Sequence, residues 1–371
     1  MLARPNTRRP AGSPTAPPAG APASPHVRDF GGASHDYRVE FDVRPVYDFL
    51  FSLTADAGST DDLPAPDRAW LTDARAAMSE TIKEQLAALF ESELAIHVAS
   101  FAVERPDLRS VDAFLAAVDE VPTSELLAAM LSDFLRDPET RALAERATQG
   151  DDAAVAALRE ALPEHKTAFQ ELLADPVAAH RRIATVLQAW AVAFKPIEPR
   201  ITAMLERDHA LRAPDRGAYH GSDLIERTTG GIRWLPEVGI RRVILAPSYF
   251  VRPYNFLLAG DDWRFFGYPV ADDALDADDR LAPPPAVVRL HRALGDETRL
   301  RILKLLAGRD LYLTEIAQQL ELSKPTIKHH LALLRAAGLV TVTEGGTIMY
   351  YTLRRDRIEE ASAELGRFLI P

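Results

Sequence analysis

The sequence predicts an α+β protein that is mostly helical, with small β elements late in the chain and a distinct helical module at its end. Three observations carry this. Residues 67 to 211 are alanine- and leucine-rich, with apolar positions at three- and four-residue spacing. Residues 231 to 270 switch to Val, Ile, Tyr, Phe and Trp, broken by Gly and Pro. From 286 onward, short helices with recognisable caps lead into an alternating run centred on Gly345-Gly346.

The 371 residues suffice for two or three domains, and 47% apolar content is enough to build their cores. Residues 1–28 are Pro/Ala-rich and lack the apolar stretch of an export signal, so a disordered tail is expected there. Residues 37–270 are read as an α-rich regulatory or effector domain. Within it, YRVEF suggests a strand, followed by a helix after Pro45. AAMSETIKEQLAALFESELAIHVASF is the clearest helical text, and seven prolines from Pro106 to Pro199 divide 67–211 into six or seven helices. VILAPSYF and WRFFGYPV are the best strands. Residues 271–285 hold five aspartates and three consecutive prolines, the composition of a stiff acidic linker.

Residues 286–371 are organised more tightly. A first helix runs to Leu294 and Gly295 stops it. Asp296 can cap DETRLRILKLLAG, whose apolar set is Leu300, Ile302, Leu303, Leu305 and Leu306. Thr314 is placed to cap EIAQQL. Glu321, Leu322 and Ser323 form a tight turn, with Ser323 as N-cap and Pro325 in the first helical turn. Leu322 and Ile327 have the spacing of a hydrophobic staple. The next helix buries Ile327, Leu331 and Leu334, and Gly338 ends it. A Gly345-Gly346 turn then pairs Val342 with Met349 and Val340 with Tyr351. Helix, tight turn, longer basic helix and hairpin make a winged helix-turn-helix.

Charge supports the same reading. Residues 286–371 carry 13 Lys/Arg against 10 Asp/Glu, a formal +3, and leave −14 for the remainder of a chain whose total is −11. A basic helix is ordinarily a solvated face. Here the turn length, cap, staple and glycine pair agree with one another, and they favour duplex DNA as the partner. The candidate DNA contacts are Ser323, Lys324, Thr326, Lys328, His329, His330 and Arg335 on the helix, with Thr347 and Arg354 on the wing.

ALGDETRLRILKLLAG, LTEIAQQLELSKPTIKHHLALLRAAGLV and the hairpin resemble the ArsR/SmtB family of bacterial winged-helix regulators over about 80 residues. The resemblance implies a dimer, a near-palindromic operator and repression relieved by an inducer. It also implies metal sites in some members, with thiolates where this chain has Leu311, Tyr312 and Leu313, or with histidines on a last helix that here has none. No metal and no cofactor is therefore expected. The region before 286 looks similar to the extra domain of longer bacterial members.

Catalytic chemistry is not legible. His220, Ser222 and Asp223 are too close in sequence for a triad, His165 and His180 lack a paired spacing, and phosphate-loop, zincin and nucleophile-elbow motifs do not occur. Late aromatics, among them Trp190, Phe194, Tyr249, Phe250, Phe265 and Tyr268, are candidates to line a pocket for a small apolar ligand. There are no cysteines, which excludes disulfides, thiolate zinc sites and cysteine nucleophiles. No apolar run approaches the roughly 18 residues that span a bilayer, so a cytoplasmic, nucleoid-associated protein is expected. The reading is a non-enzymatic, homodimeric DNA-binding transcriptional regulator, a repressor, whose first domain senses a ligand or mediates assembly. The alternative is an enzyme or small-molecule-binding protein whose winged helix serves as a protein-interaction module.

Overall fold

The computed structural model describes residues 37–54, 62–90, 95–131, 138–161, 172–275, 283–345 and 348–370. The tail at 1–28 lies outside the described residues. Strand β1 (Arg38–Phe41) and helix α1 (Pro45–Thr54) open the described chain as expected. Pro45 can start the helix because its missing N–H falls among the unbonded donors of the first turn.

Between 65 and 211, nine helices occur among the described residues: α2 (Ala65–Ala76), α3 (Glu80–Phe90), α4 (Val98–Glu104), α5 (Val111–Glu120), α6 (Thr123–Leu131), α7 (Pro138–Thr148), α8 (Asp152–Ala161), α9 (Pro176–Phe194) and α10 (Glu198–Leu211). Six or seven were expected. The excess comes from breaks made without proline. Met78-Ser79 separates α2 from α3, and Gly150, in the left-handed region at φ +90°, separates α7 from α8. Two further helices, α11 (Ala213–Ala218) and α12 (Gly221–Thr229), lead to strand β2 (Ile232–Trp234).

β1, β3 (Arg242–Ser248), β5 (Trp263–Pro269) and β4 (Phe256–Ala259) form one sheet in that order. β1, β3 and β5 are parallel and β4 is antiparallel to β5. The period of two sorts the side chains of this sheet to two cores. Ile244, Ala246 and Phe265 join the cluster built by the helices. Val243, Leu245, Phe266 and Tyr268 face the other way, into a cluster that also holds Leu224, Ile225, Trp234 and the apolar residues of the C-terminal module. The aromatics considered as a pocket lining are themselves core. Trp190, Phe194, Tyr249, Phe250, Phe265 and Tyr268 are all at most 2% exposed and pack ring against ring, as Trp70 does on Trp190 and Phe49 on Phe194.

Asp272–Ala274 form a short 3-10 turn with Ala274 fully buried, so the segment expected as a linker begins packed. The C-terminal module comprises α13 (Pro285–Leu294), α14 (Glu297–Leu306), β6 (Leu311–Tyr312), α15 (Leu313–Leu320), α16 (Lys324–Ala336), β7 (Val340–Gly345), β8 (Ile348–Leu353) and α17 (Arg355–Leu369). Its sheet runs β2–β7–β8–β6. β2, from the preceding region, pairs in parallel with β7 (Ile232 opposite Val342, Trp234 opposite Glu344). Val342 N–H donates to Gly231 O at 2.9 Å, and Leu235 N–H donates to Glu344 O at 2.7 Å. The two parts of the chain therefore share a sheet as well as a core.

Candidate nucleic-acid interface

α15 ends in Glu321, a non-glycine residue held in the left-handed region at φ +56°. Leu322 N–H donates to Ala317 O at 3.1 Å, closing the helix end. Ser323 follows in extended conformation, and its Oγ accepts Thr326 N–H at 3.3 Å. This is the capped tight turn that the sequence predicted. The start of α15 differs from expectation: its N-cap is Tyr312, not Thr314. The Glu315 carboxylate accepts Tyr312 N–H at 2.8 Å and is itself held by Arg309 at 2.8 Å. That hydrogen bond satisfies the N-cap residue's own N–H, the part a glutamate at the third helical position plays in a capping box.

α16 buries Ile327, Leu331 and Leu334 completely. They join Leu290, Ile302, Leu303 and Ile316 in one cluster, which locks the helix against α13, α14 and α15. Leu322, the expected staple partner of Ile327, remains 37% exposed. Leu300 was expected in the core of α14, yet it is 49% exposed. Gly338, at φ +73°, turns the chain from α16 into the wing.

Ser323, Lys324, Thr326, Lys328 and His329 all lie exposed on the first two turns of α16. The helix N-terminus adds its partial positive charge to this surface. His330 is placed differently. It is half-buried, with Nδ1 3.8 Å from an Asp296 carboxylate oxygen and no hydrogen bond to it. Burial lowers its pKa, Arg299 and His329 push the same way, and Asp296 opposes them. A neutral imidazole packed at the core edge is not part of the exposed set.

Arg335 also departs from expectation. Seven residues beyond Lys328, it shares that residue's helical face, but the preceding region covers this end of the helix. Its guanidinium donates to the Asn255 side chain, and burial lowers its pKa. Arg354 sits after β8 with its backbone N–H on Leu339 O at 2.9 Å and its guanidinium on Asp356 at 3.0 Å. Thr347 lies outside the described residues.

The wing register is two residues from the expected one. Val342 faces Tyr351, Val340 faces Leu353 and Gly345 faces Ile348. A slip of two leaves every side chain on its expected face. Val340, Val342 and Tyr351 are buried, and Met349 packs beside them. Thr341 and Thr343 on the opposite face are buried too. β7 has partners on both edges, so a local turn preference is not alone in setting its register.

The other candidates have structural environments. Ser222 Oγ donates to Trp234 O at 2.9 Å. His180 holds Val118 O at 2.7 Å and Thr123 at 3.0 Å. His165 lies outside the described residues. Among the described residues no cluster of three His, Cys, Asp or Glu could hold a metal ion. No described helix is long and apolar enough to cross a membrane.

A capped helix-turn-helix, a basic exposed helix start and a paired wing define a winged-helix transcription regulator. Residues 296–342 match the model for bacterial regulatory proteins of the arsR family. The chain is 42% identical over 72 residues to an uncharacterised HTH-type transcriptional regulator of Methanocaldococcus jannaschii, covering 19% of this chain and 81% of the relative. It is 36% identical over 72 residues to the transcriptional repressor SdpR of Bacillus subtilis (19% and 80%) and 38% identical over 72 residues to the transcriptional activator HlyU of Vibrio cholerae (19% and 67%). The chain belongs to the arsR family of bacterial regulatory proteins, through its C-terminal fifth.

Proposed function

We propose that this protein is a sequence-specific DNA-binding repressor that acts as a homodimer on a near-palindromic operator. Residues 37–270 supply its regulatory input. The observation that carries the reading is the exposed surface of Ser323, Lys324, Thr326, Lys328 and His329, held rigidly by a fully buried stripe on the opposite side of the same helix. A helix so presented enters the major groove by its N-terminal residues. Lysines there bond phosphates or guanine acceptors, and Arg354, after the second wing strand, is a candidate for the flanking backbone.

The dimer reading rests on α13 and α17. Val287 and Leu290 of α13 are buried within the chain. Among the described residues of α13 and α17 and the position after them, the large apolar side chains left exposed are Val288, Ile358, Phe368, Leu369 and Ile370. A two-fold pairing would cover them and set two recognition helices about 34 Å apart.

The test is duplex binding as a function of salt. Lys328→Ala should weaken binding across sequences and reduce the salt slope by about 0.9 per protomer. An unchanged affinity and slope would remove α16 from the interface. Sedimentation showing a monomer at micromolar concentration would remove the dimer.

A further inference from the structure

α16 carries a second stripe beside its fully buried one. His329, Leu333 and Ala336 stand four and three residues apart and so share one face. That face lines a cavity of about 310 Å³. Ala293 of α13 lines another side, and Pro253 and Tyr254, on the turn after β3, close it from the preceding region. Leu333, Ala336, Pro253 and Tyr254 are each half-buried, so apolar surface from both parts of the chain stays open to the cavity. The volume is about twice that of the roughly 150 Å³ cavity that takes up one benzene, and it reaches the range of small-molecule sites. A two-ring aromatic molecule fits it.

Charged side chains also reach the wall, but they are engaged or solvated. Arg289 bonds Asp62 at 2.9 Å and Asp272 at 2.7 Å. Asp62 is shared with Arg252 as well. Arg299 donates through Nε to Ala293 O and through Nη2 to Arg292 O, both at 2.7 Å, and its Nη1 lies 4.0 Å from an Asp296 carboxylate oxygen. Arg292 is exposed, so water and salt screen its charge. Neither an anion nor a cation finds a buried counter-charge to itself there, and an ion would be desolvated without return. His329 differs from these groups. Its ring meets that of His330 at 6.1 Å between centroids and makes no hydrogen bond to a described residue. An imidazole nitrogen can pair with a ligand's hydroxyl or ring N–H.

We propose that this cavity binds an uncharged two-ring aromatic molecule carrying a hydroxyl or ring N–H, and that the bound molecule weakens DNA binding by engaging His329. The proposal deepens the regulatory reading above by naming the class of input, and its second half rests on the DNA-binding reading. The rings lie against Leu333, Ala336 and Ala293, and Tyr254 offers them an aromatic face. The polar group meets His329. That residue belongs to the exposed set assigned to DNA, next to Lys328 on the first two turns of α16. An imidazole turned into the cavity is withdrawn from the groove, so ligand and duplex draw on the same side chain. This competition needs no movement of β2 from β7 and no opening of the shared core.

The experiment is calorimetric titration of the full chain with indole and, separately, with indole carboxylate, which keeps the rings and adds a charge. Indole should bind at one site per chain, and the carboxylate about tenfold more weakly or less, because its charge finds no free partner on the wall. Equal or tighter binding of the carboxylate overturns the uncharged class. Ala336→Leu adds bulk to the cavity and should abolish indole binding. His329→Ala removes the polar partner and should weaken it about fivefold. His329 is exposed and Ala336 half-buried at the end of α16, so both variants should fold, as checked by circular dichroism. No indole binding, or binding that both substitutions leave unchanged, overturns the site. In a parallel assay on a duplex selected from random sequence, saturating indole should raise the Kd of the unsubstituted chain about fivefold and leave that of Ala336→Leu as it was. Unchanged or tighter duplex binding by the unsubstituted chain overturns the competition. Absence of any duplex binding defeats the DNA-binding reading alone, because the calorimetry still decides the site.

Discussion

Asp48 should make this protein less stable as pH rises from about 4 to about 7. It lies on α1, fully buried. Its Oδ1 accepts Ser248 Oγ–H at 2.7 Å, Tyr249 N–H at 2.8 Å and Phe250 N–H at 2.9 Å, while Oδ2 has no partner. Burial pushes its pKa from 3.8 up to about 7, and the three donors offset that only in part. In the unfolded chain the group ionises near its ordinary value. Between the two values the folded state binds the extra proton, so the contribution to stability is full below about pH 4 and is lost as pH rises through 7. A separation of about three pH units at about 1.4 kcal/mol each makes an upper bound of about 4 kcal/mol. Asp48→Asn keeps the Oδ1 acceptor and cannot ionise. Urea unfolding at pH 5 and pH 8 should show the parent losing stability with pH, and the variant losing less and being the more stable of the two at pH 8. The reasoning fails if the two proteins share the same pH dependence. The position matters beyond stability, because these hydrogen bonds hold the turn after β3 that delivers Arg252 and Asn255 to the DNA-binding module.

Three further outcomes follow from local geometry. Ser323→Ala removes the N-cap of α16 and should cost about 1 kcal/mol in urea unfolding; no loss would mean the cap contributes nothing. Glu321→Gly relieves a left-handed residue in the turn and should stabilise by up to about 1 kcal/mol, so a destabilised variant would show that the glutamate side chain holds the turn. Trp234→Ala should cost about 3–5 kcal/mol. Because Trp234 sits in the core shared by both parts of the chain, calorimetry should give one unfolding transition before and after substitution, and two separate transitions would refute the shared core.

Much of the recognition unit was legible in the residue order. Its determinants act over a few positions: Ser323 reaching Thr326, Pro325 in the first turn, Ile327, Leu331 and Leu334 on one stripe, and Gly338 turning the chain. Such interactions are settled by spacing, because a helix brings residues three and four apart together whatever lies beyond. The strands β3 and β5 were legible for the same reason, through their β-branched and aromatic text. Tertiary structure decided the rest. Parallel pairing of β2 with β7 joins residues more than a hundred positions apart with no turn to announce it. That second edge accompanies a wing register two residues from the one a Gly345-Gly346 turn implies. Arg335 reads as one more exposed cation of a basic helix until Asn255, eighty residues earlier, arrives at its guanidinium. Side-chain type and period specify which face a residue occupies; only the packing of distant segments specifies whether that face meets solvent, DNA or the rest of the chain.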